Sequence, residues 1–125
     1  MNYRHAFHVG NHADVLKHVA LLLCVEALGS KPASFAVLDT HAGRGLYDLA
    51  GDEAQRSPEW RDGVGKLWDW PSPPAAVARY LEAVRAFNAE GGLRTYPGSP
   101  ALVTRALREG DALMACELHR EEHAA

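Results

Sequence analysis

The run from Ala13 to Leu28, ADVLKHVALLLCVEAL, constrains the chain more than any other segment. Asn11 stands where an N-cap is wanted and Gly29 closes the run, so the spacing predicts a helix between them. After Lys17 nearly every face of that helix is apolar. A helix that is hydrophobic all round has to be covered on several sides, so it belongs in the interior of something larger than itself. The chain has 125 residues, 47% apolar and 23% charged, the composition of one globular domain with one small core.

The segment Ser34-Phe-Ala-Val-Leu-Asp39 lies between Lys31-Pro32 and the glycine-bearing loop Thr40-His-Ala-Gly-Arg-Gly45, and reads as a buried parallel strand. Residues 111–118, Asp-Ala-Leu-Met-Ala-Cys-Glu-Leu, read as a second one. Between them lie three tryptophans (Trp60, Trp68, Trp70) and a proline-rich break at 70–74. An amphipathic helix over 74–90 then carries Val77, Tyr80, Leu81, Val84 and Phe87 on one face. Residues 46–96 are therefore expected to form a helical insertion, with 1–45 and 97–125 belonging to one α/β domain. In Tyr96-Pro-Gly-Ser-Pro100, Ser99 reads as the N-cap of a helix that has Pro100 at its first position and ends at Gly110. Cys24 and Cys116 sit in apolar runs and read as reduced core thiols of a cytoplasmic protein. No segment has the apolar length of a membrane span or a signal peptide.

Chemistry is concentrated at two places. Asp39 ends the first strand and is followed by Gly43 and Gly45. Two such glycines let the backbone turn tightly and approach a ligand, although many strand-to-helix turns carry them for structural reasons alone. Glu117 ends the second strand, where an acid can grip ribose hydroxyls in a doubly wound sheet. The 78 residues between Asp39 and Glu117 exceed the usual unit and require the insertion. The other place is the N-terminus, where His5, His8, His12 and His18 fall within 18 residues beside Tyr3, Arg4, Asp14 and Lys17. Gly10-Asn11 breaks helical register between His8 and His12 and no carboxylate pair completes a triad, so no metal is expected. His18, inside the helix, reads by default as a satisfied core histidine.

Four stretches, Tyr3 to His18, Asp39 to Gly45, Tyr96 to Pro100 and Glu117 to His119, together resemble the bacterial 23S ribosomal RNA adenine-N6 methyltransferase J family across the whole chain. The resemblance implies a Rossmann-like, S-adenosylmethionine-dependent methyltransferase fold carrying a small helical insertion. It implies that His18, His41, Ser99 and Glu117 contact S-adenosylmethionine, with Lys17 and Gly43 close by and Glu117 on the ribose. It places Tyr3, Arg4 and His5 against the substrate adenine, where an aromatic ring can stack on an extruded base.

One element of that family's chemistry is missing. Adenine-N6 methyltransferases orient the amino group with a polar-Pro-Pro-aromatic loop, in this family Asp-Pro-Pro-Tyr, after a later strand. The only double proline, Pro73-Pro74, follows Ser72 inside the insertion. The chain is thus expected to be the N-terminal portion of the enzyme, truncated after the second strand, with the catalytic Asp beyond residue 125. Such a chain exposes apolar faces and is expected to self-associate. The alternative function is a non-catalytic RNA- or cofactor-binding fragment; a histidine-rich metal hydrolase ranks third. The net charge of −3 excludes a blanket basic surface, so contact with 23S RNA rests on a local patch of Arg4, Lys17 and Arg44.

Overall fold

A computed structural model describes residues 3–118 and 123. The elements follow in the order α1 (His12–Gly29), β1 (Ala36–Asp39), β2 (Leu46–Asp48), α2 (Asp52–Arg56), α3 (Val64–Leu67), α4 (Ala75–Arg85), β3 (Thr95–Pro97), α5 (Ser99–Ala106) and β4 (Ala112–Ala115). Single 3-10 turns at His5–Phe7 and Glu59–Arg61 complete the described elements.

Asn11 caps α1 as its sequence position suggests: its side chain accepts the Asp14 N–H at 2.9 Å. The helix buries only one stripe, Asp14, His18 and Val25, with Val15, Val19 and Leu22 packed beside it. The covering expected on several sides is present on one, supplied by α4 and α5. Leu16 remains 74% exposed, and Leu23 and Leu28 are open as well. Cys24 is exposed for the same reason. Cys116 is exposed because it follows β4, which pairs only with β1. The reading of both thiols as core residues is therefore corrected.

β1 and β4 do pair in parallel, Ala36 with Ala112 through Asp39 with Ala115. They are not buried strands, because among the described residues no further strand or helix covers their second face. Val37 and Leu113 are half-covered, whereas Leu38 is 62% and Met114 65% exposed. An Arg108 clasp holds the entry to this ladder. Its guanidinium donates to the carbonyls of Gly29, Lys31 and Ala33 at 2.7–3.0 Å and to Asp111, whose carboxylate also takes the Phe35 N–H. Arg108 is free for this because α5 ends at Ala106 and not at Gly110; Leu107 is already extended.

Residues 46–96 hold α2, α3 and α4, and they also contain strand that the helical expectation left out. β2 pairs antiparallel with β3, Leu46 opposite Pro97 and Asp48 opposite Thr95, so the segment leaves and rejoins the chain as two paired arms. α4 presents the expected stripe, with Tyr80, Leu81 and Val84 fully buried against Tyr47, Leu49, Val64, Trp68 and Tyr96. It stops at Arg85 because Asn88 turns the chain. The Asn88 amide donates to the carbonyls of Val84 and Thr95 and accepts the N–H groups of Arg94 and Thr95, all at 2.8–2.9 Å. This one side chain fastens the end of α4 to β3. Asn88→Ala strands several backbone groups at a buried position, and since one such group costs about 1–3 kcal/mol, chemical denaturation should register a loss of ~3 kcal/mol or more. A loss below ~1 kcal/mol rejects this role.

Candidate functional site

The β1–β4 ladder continues past its strands, with Cys116 N–H donating to the Asp39 carbonyl at 2.8 Å and Ala42 N–H to the Cys116 carbonyl at 2.9 Å. These two bonds bring the loop after β1 against the chain after β4. Gly43 N–H donates to Glu117 Oε2 at 2.8 Å. Gly43 has φ +65°, and a Cβ there would run into the Tyr47 hydroxyl, so both its backbone conformation and its space require glycine. A cleft of about 210 Å³ opens here, lined by Ala42, Gly43, Arg44, Pro100 and Glu117 among others. The loop after β1 and the chain after β4, with Glu117 two residues past its end, thus meet at one crevice; Asp39, the last residue of β1, is not among its lining residues.

Ser99 is not an N-cap. Gly98 takes that position in an extended conformation, where a Cβ would collide with the Arg44 carbonyl, and Ser99 is the first helical residue of α5. Its hydroxyl instead donates to Asp39 Oδ2, while His41 N–H donates to Oδ1 of the same carboxylate at 3.3 Å. The His41 ring is exposed, its Nδ1 2.9 Å from the Thr40 hydroxyl.

The N-terminal residues form a second cluster around Asp14, which is only 2% exposed. Asp14 Oδ2 lies 2.7 Å from His5 Nε2 and accepts Gly10 N–H at 2.8 Å; Lys17 Nζ stands 3.4 Å from Oδ1. Tyr3 O–H reaches His5 Nδ1 at 2.7 Å, so a hydrogen-bonded chain runs from Tyr3 through His5 to Asp14. The Tyr3 ring lies parallel to His8 with centroids 5.4 Å apart, and His8 Nδ1 is 2.7 Å from Glu59. The terminal aromatic is held in place, yet 53% of it is open to solvent. Arg4 is drawn back to Glu53 at 3.0 Å. His5 packs edge-on against Tyr47, whose hydroxyl accepts Arg44 N–H, and this links the cluster to the glycine loop.

His18 is buried to 1% exposure. Its Nδ1 is 2.7 Å from the Tyr96 hydroxyl, which is 3.0 Å from that of Tyr80. Its Nε2 is shut off from solvent with no hydrogen-bond partner among the described residues, so it is a core histidine satisfied on one nitrogen only. Sequence reasoning named His18, Tyr80 and Tyr96 separately but did not join them, because the two hydroxyls come from elements 62 and 78 residues away from His18. The larger cavity, about 430 Å³ between α1, α4 and α5, lies away from both clusters. Its Arg79 is paired with Glu26 and its Arg108 is spent on the clasp. Among the described residues no three His, Cys, Asp or Glu side chains converge as a metal would need, and no helix is long and apolar enough to cross a membrane.

Burial pushes the His18 imidazole down to about 4, aided by the charges of Lys17 and His5 and opposed by those of Asp14 and Asp39. Burial works against the Asp14 charge, but the His5 hydrogen bond and charge, with Gly10 N–H, bring that carboxyl to about 2. Both shifts have the same consequence. The unfolded chain takes up a proton on His18 near pH 6.5 and on Asp14 near pH 3.8, ahead of the folded one in each case. Stability is therefore full above pH ~6.5, falls between ~6.5 and ~4 through His18, and falls again between ~4 and ~2 through Asp14. Denaturant titrations from pH 7 to 4.5 should show a loss of ~2 kcal/mol attributable to His18, with a flatter slope in His18→Gln. Equal slopes in the two proteins exclude it.

The family described as ribosomal RNA large subunit methyltransferase D, RlmJ, matches residues 32–124. The chain is 45% identical over 123 residues to ribosomal RNA large subunit methyltransferase J of Escherichia coli K12, and 42% identical over 124 residues to the protein of that name from Haemophilus influenzae. It covers itself to 98% in both alignments but spans only 44% of each relative's length. A crystal structure of a Legionella pneumophila protein superposes with a TM-score of 0.86 at 35% identity, covering 93% of this chain and 42% of that one. This α/β chain belongs to the RlmJ family of large-subunit ribosomal RNA methyltransferases.

Proposed function

We propose that this chain is the cofactor-binding and RNA-facing part of a Rossmann-like, S-adenosylmethionine-dependent enzyme that methylates an adenine N6 in 23S ribosomal RNA. Residues 1–45 and 97–125 form the methyltransferase domain and 46–96 its insertion. The observation that carries this reading is the crevice at the ends of two parallel strands, where Glu117 is held on Gly43 N–H and Asp39 on Ser99. In open α/β sheets ligands sit at the carboxyl ends of the strands.

The donor set fits S-adenosylmethionine. Glu117 is a carboxylate for ribose hydroxyls, Asp39 a carboxylate for the ammonium group, and Ser99 with the α5 N-terminus a donor set for the methionine carboxylate. His41 stands exposed on the loop beside them, and the buried Nε2 of His18 is a polar atom without a hydrogen-bond partner among the described residues. Bound there, the cofactor supplies an electrophilic methyl group on its sulfonium. The protein's part is to orient it and to keep Gly43, Lys17 and the glycine loop in position. Tyr3, held by His5 and lying parallel to His8, offers a ring on which an extruded adenine can stack, with Arg4, Lys17 and Arg44 as the local cationic surface.

The loop that would orient the acceptor amine is not among these 125 residues, so turnover belongs to a protein of the relatives' length. That gap favours a second reading, a cofactor- or RNA-binding piece without turnover. Titration calorimetry of the chain with S-adenosylmethionine tests the shared core of both. Saturable binding weakened ~10-fold or more by Glu117→Ala is expected, since a hydrogen bond to a charged group contributes roughly 1.5–3 kcal/mol. A folded chain that does not bind, or binding indifferent to Glu117, rejects the assignment. We also infer that the chain self-associates through the open face of β1 and β4; Leu38→Lys with Met114→Lys should shift its sedimentation toward monomer, and no shift locates association elsewhere.

A further inference from the structure

Tyr3 is held from two directions. Its hydroxyl donates to His5 Nδ1 at 2.7 Å, and the other nitrogen of that ring donates to the buried Asp14 carboxylate on α1. Its ring lies against His8 with the two planes 3° apart, and His8 Nδ1–H donates to Glu59 Oε2 at 2.7 Å. The first tether comes from the N-terminal segment and its own helix. The second comes from the insertion, 51 residues beyond His8 in the chain.

The insertion delivers Glu59 with little freedom. Glu59 opens the 3-10 turn Glu59–Arg61, whose Trp60 packs against the core. Beyond that turn Gly63 lies so close to the N-terminal segment that a Cβ there would run into the Gly10 carbonyl, and Val64 N–H donates to the same carbonyl at 2.9 Å. Gly10 has φ +73°, and a Cβ on it would stand 2.9 Å from that of Trp60. Facing glycines make a backbone-to-backbone seam, which fixes the turn carrying Glu59 relative to the chain carrying His8.

Charge points the same way. Residues 46–96 carry eight Asp and Glu against six Lys and Arg, so the insertion repels a phosphate backbone more than it attracts one. Its acids Glu53 and Glu59 turn to the N-terminal segment instead, one to Arg4 and the other to His8. Burial, then the charges of Asp14 and Glu59, raise the Tyr3 phenol above its ordinary value, so the hydroxyl keeps its proton for His5.

We propose that the insertion serves the acceptor side by holding the N-terminal segment, and that Glu59 is a positioning residue. It keeps His8 behind one face of the Tyr3 ring, so that the other face is presented to an unpaired purine of the RNA. This deepens, and rests on, the reading of Tyr3 as the residue on which the base stacks. A ring backed on one face has its tilt set before the base arrives, so binding has less ordering left to impose.

Two measurements on the 125-residue chain separate the pin from its use. In NMR spectra of the free protein the His8 ring protons should stand upfield under the Tyr3 ring current, and Tyr3→Leu should release them. Glu59→Ala should release them too, whereas Glu59→Gln, which keeps a carbonyl oxygen for the His8 N–H, should hold them near the wild-type position. An oligouridylate carrying a single 2-aminopurine then reads stacking by fluorescence quenching. Tyr3→Leu should remove most of the quenching, and Glu59→Ala should lower it and weaken binding ~3-fold, the size expected of a half-exposed ion pair. His8→Ala should do the same and stands in if Glu59→Ala does not fold. An oligouridylate with an abasic residue in place of the 2-aminopurine should bind the wild type and Glu59→Ala equally, because the pin touches no phosphate. His8 resonances unmoved by Glu59→Ala overturn the positioning role. So does quenching that survives in Glu59→Ala but not in Tyr3→Leu, and so does an equal weakening of the abasic probe, which marks a general loss of structure. Quenching indifferent to Tyr3→Leu, or a folded chain that does not bind the probe, rejects Tyr3 as the stacking residue and with it the use proposed for the pin, whatever the His8 resonances show.

Discussion

The parallel ladder between β1 and β4 is the constraint on which the rest depends. It is four residue pairs long, extended by the two bonds through Asp39, Ala42 and Cys116, and it joins segments more than seventy residues apart. Closing such a loop costs entropy that a two-stranded parallel ladder does not return by itself. The return comes from the flanks: α5 lies against both strands, and the Arg108 clasp ties the chain entering β1 to the turn entering β4. Every feature of the crevice follows. Glu117 reaches Gly43, and Asp39 reaches Ser99, only because the two strands end at the same level.

The core behind the crevice is polar along its axis. Asp14, His18, Tyr96 and Tyr80 are buried among Leu81, Val84 and Trp68, and the first two lie one turn apart on the only covered stripe of α1. A stripe of leucines would pack with less desolvation cost. What the polar set provides is direction. Each group accepts from or donates to a fixed neighbour, so Tyr3 and His5 on one side and His18 on the other have defined orientations rather than a choice of rotamers. The price in stability appears at acid pH, where the two depressed pKa values make the fold give way before its carboxylates alone would require.

Where the sequence carries a local signal, the structure follows it. Asn11 three residues before Asp14, the Tyr80-Leu81-Val84 stripe, and the strand end at Asp39 are all properties of neighbours in the chain, whereas the strand read over 111–118 shortens to Ala112–Ala115 and leaves Glu117 two residues past its end. β2 and β3 were not legible because three residues each, Leu46-Tyr-Asp48 and Thr95-Tyr-Pro97, are too short to show an alternation. Ser99 before Pro100 carries a cap signature that Gly98 overrides, since only a residue without a Cβ fits under the Arg44 carbonyl. Asn88 falls inside the helix expected over 74–90, yet it ends α4 early and satisfies four backbone contacts. In the site, single residues were readable and their pairings were not. His18 was visible as a buried histidine, but its partners come from an insertion helix and a strand that approach it only in the folded chain.

Exposed Leu38 and Met114 mark the open face of the β1–β4 ladder. Parallel sheets are stable when both faces are covered, and here one face of the ladder is not. A further strand laid parallel beside β1 or β4 would end at the same edge as Asp39 and Glu117, and the helix connecting to it would lie over the sheet.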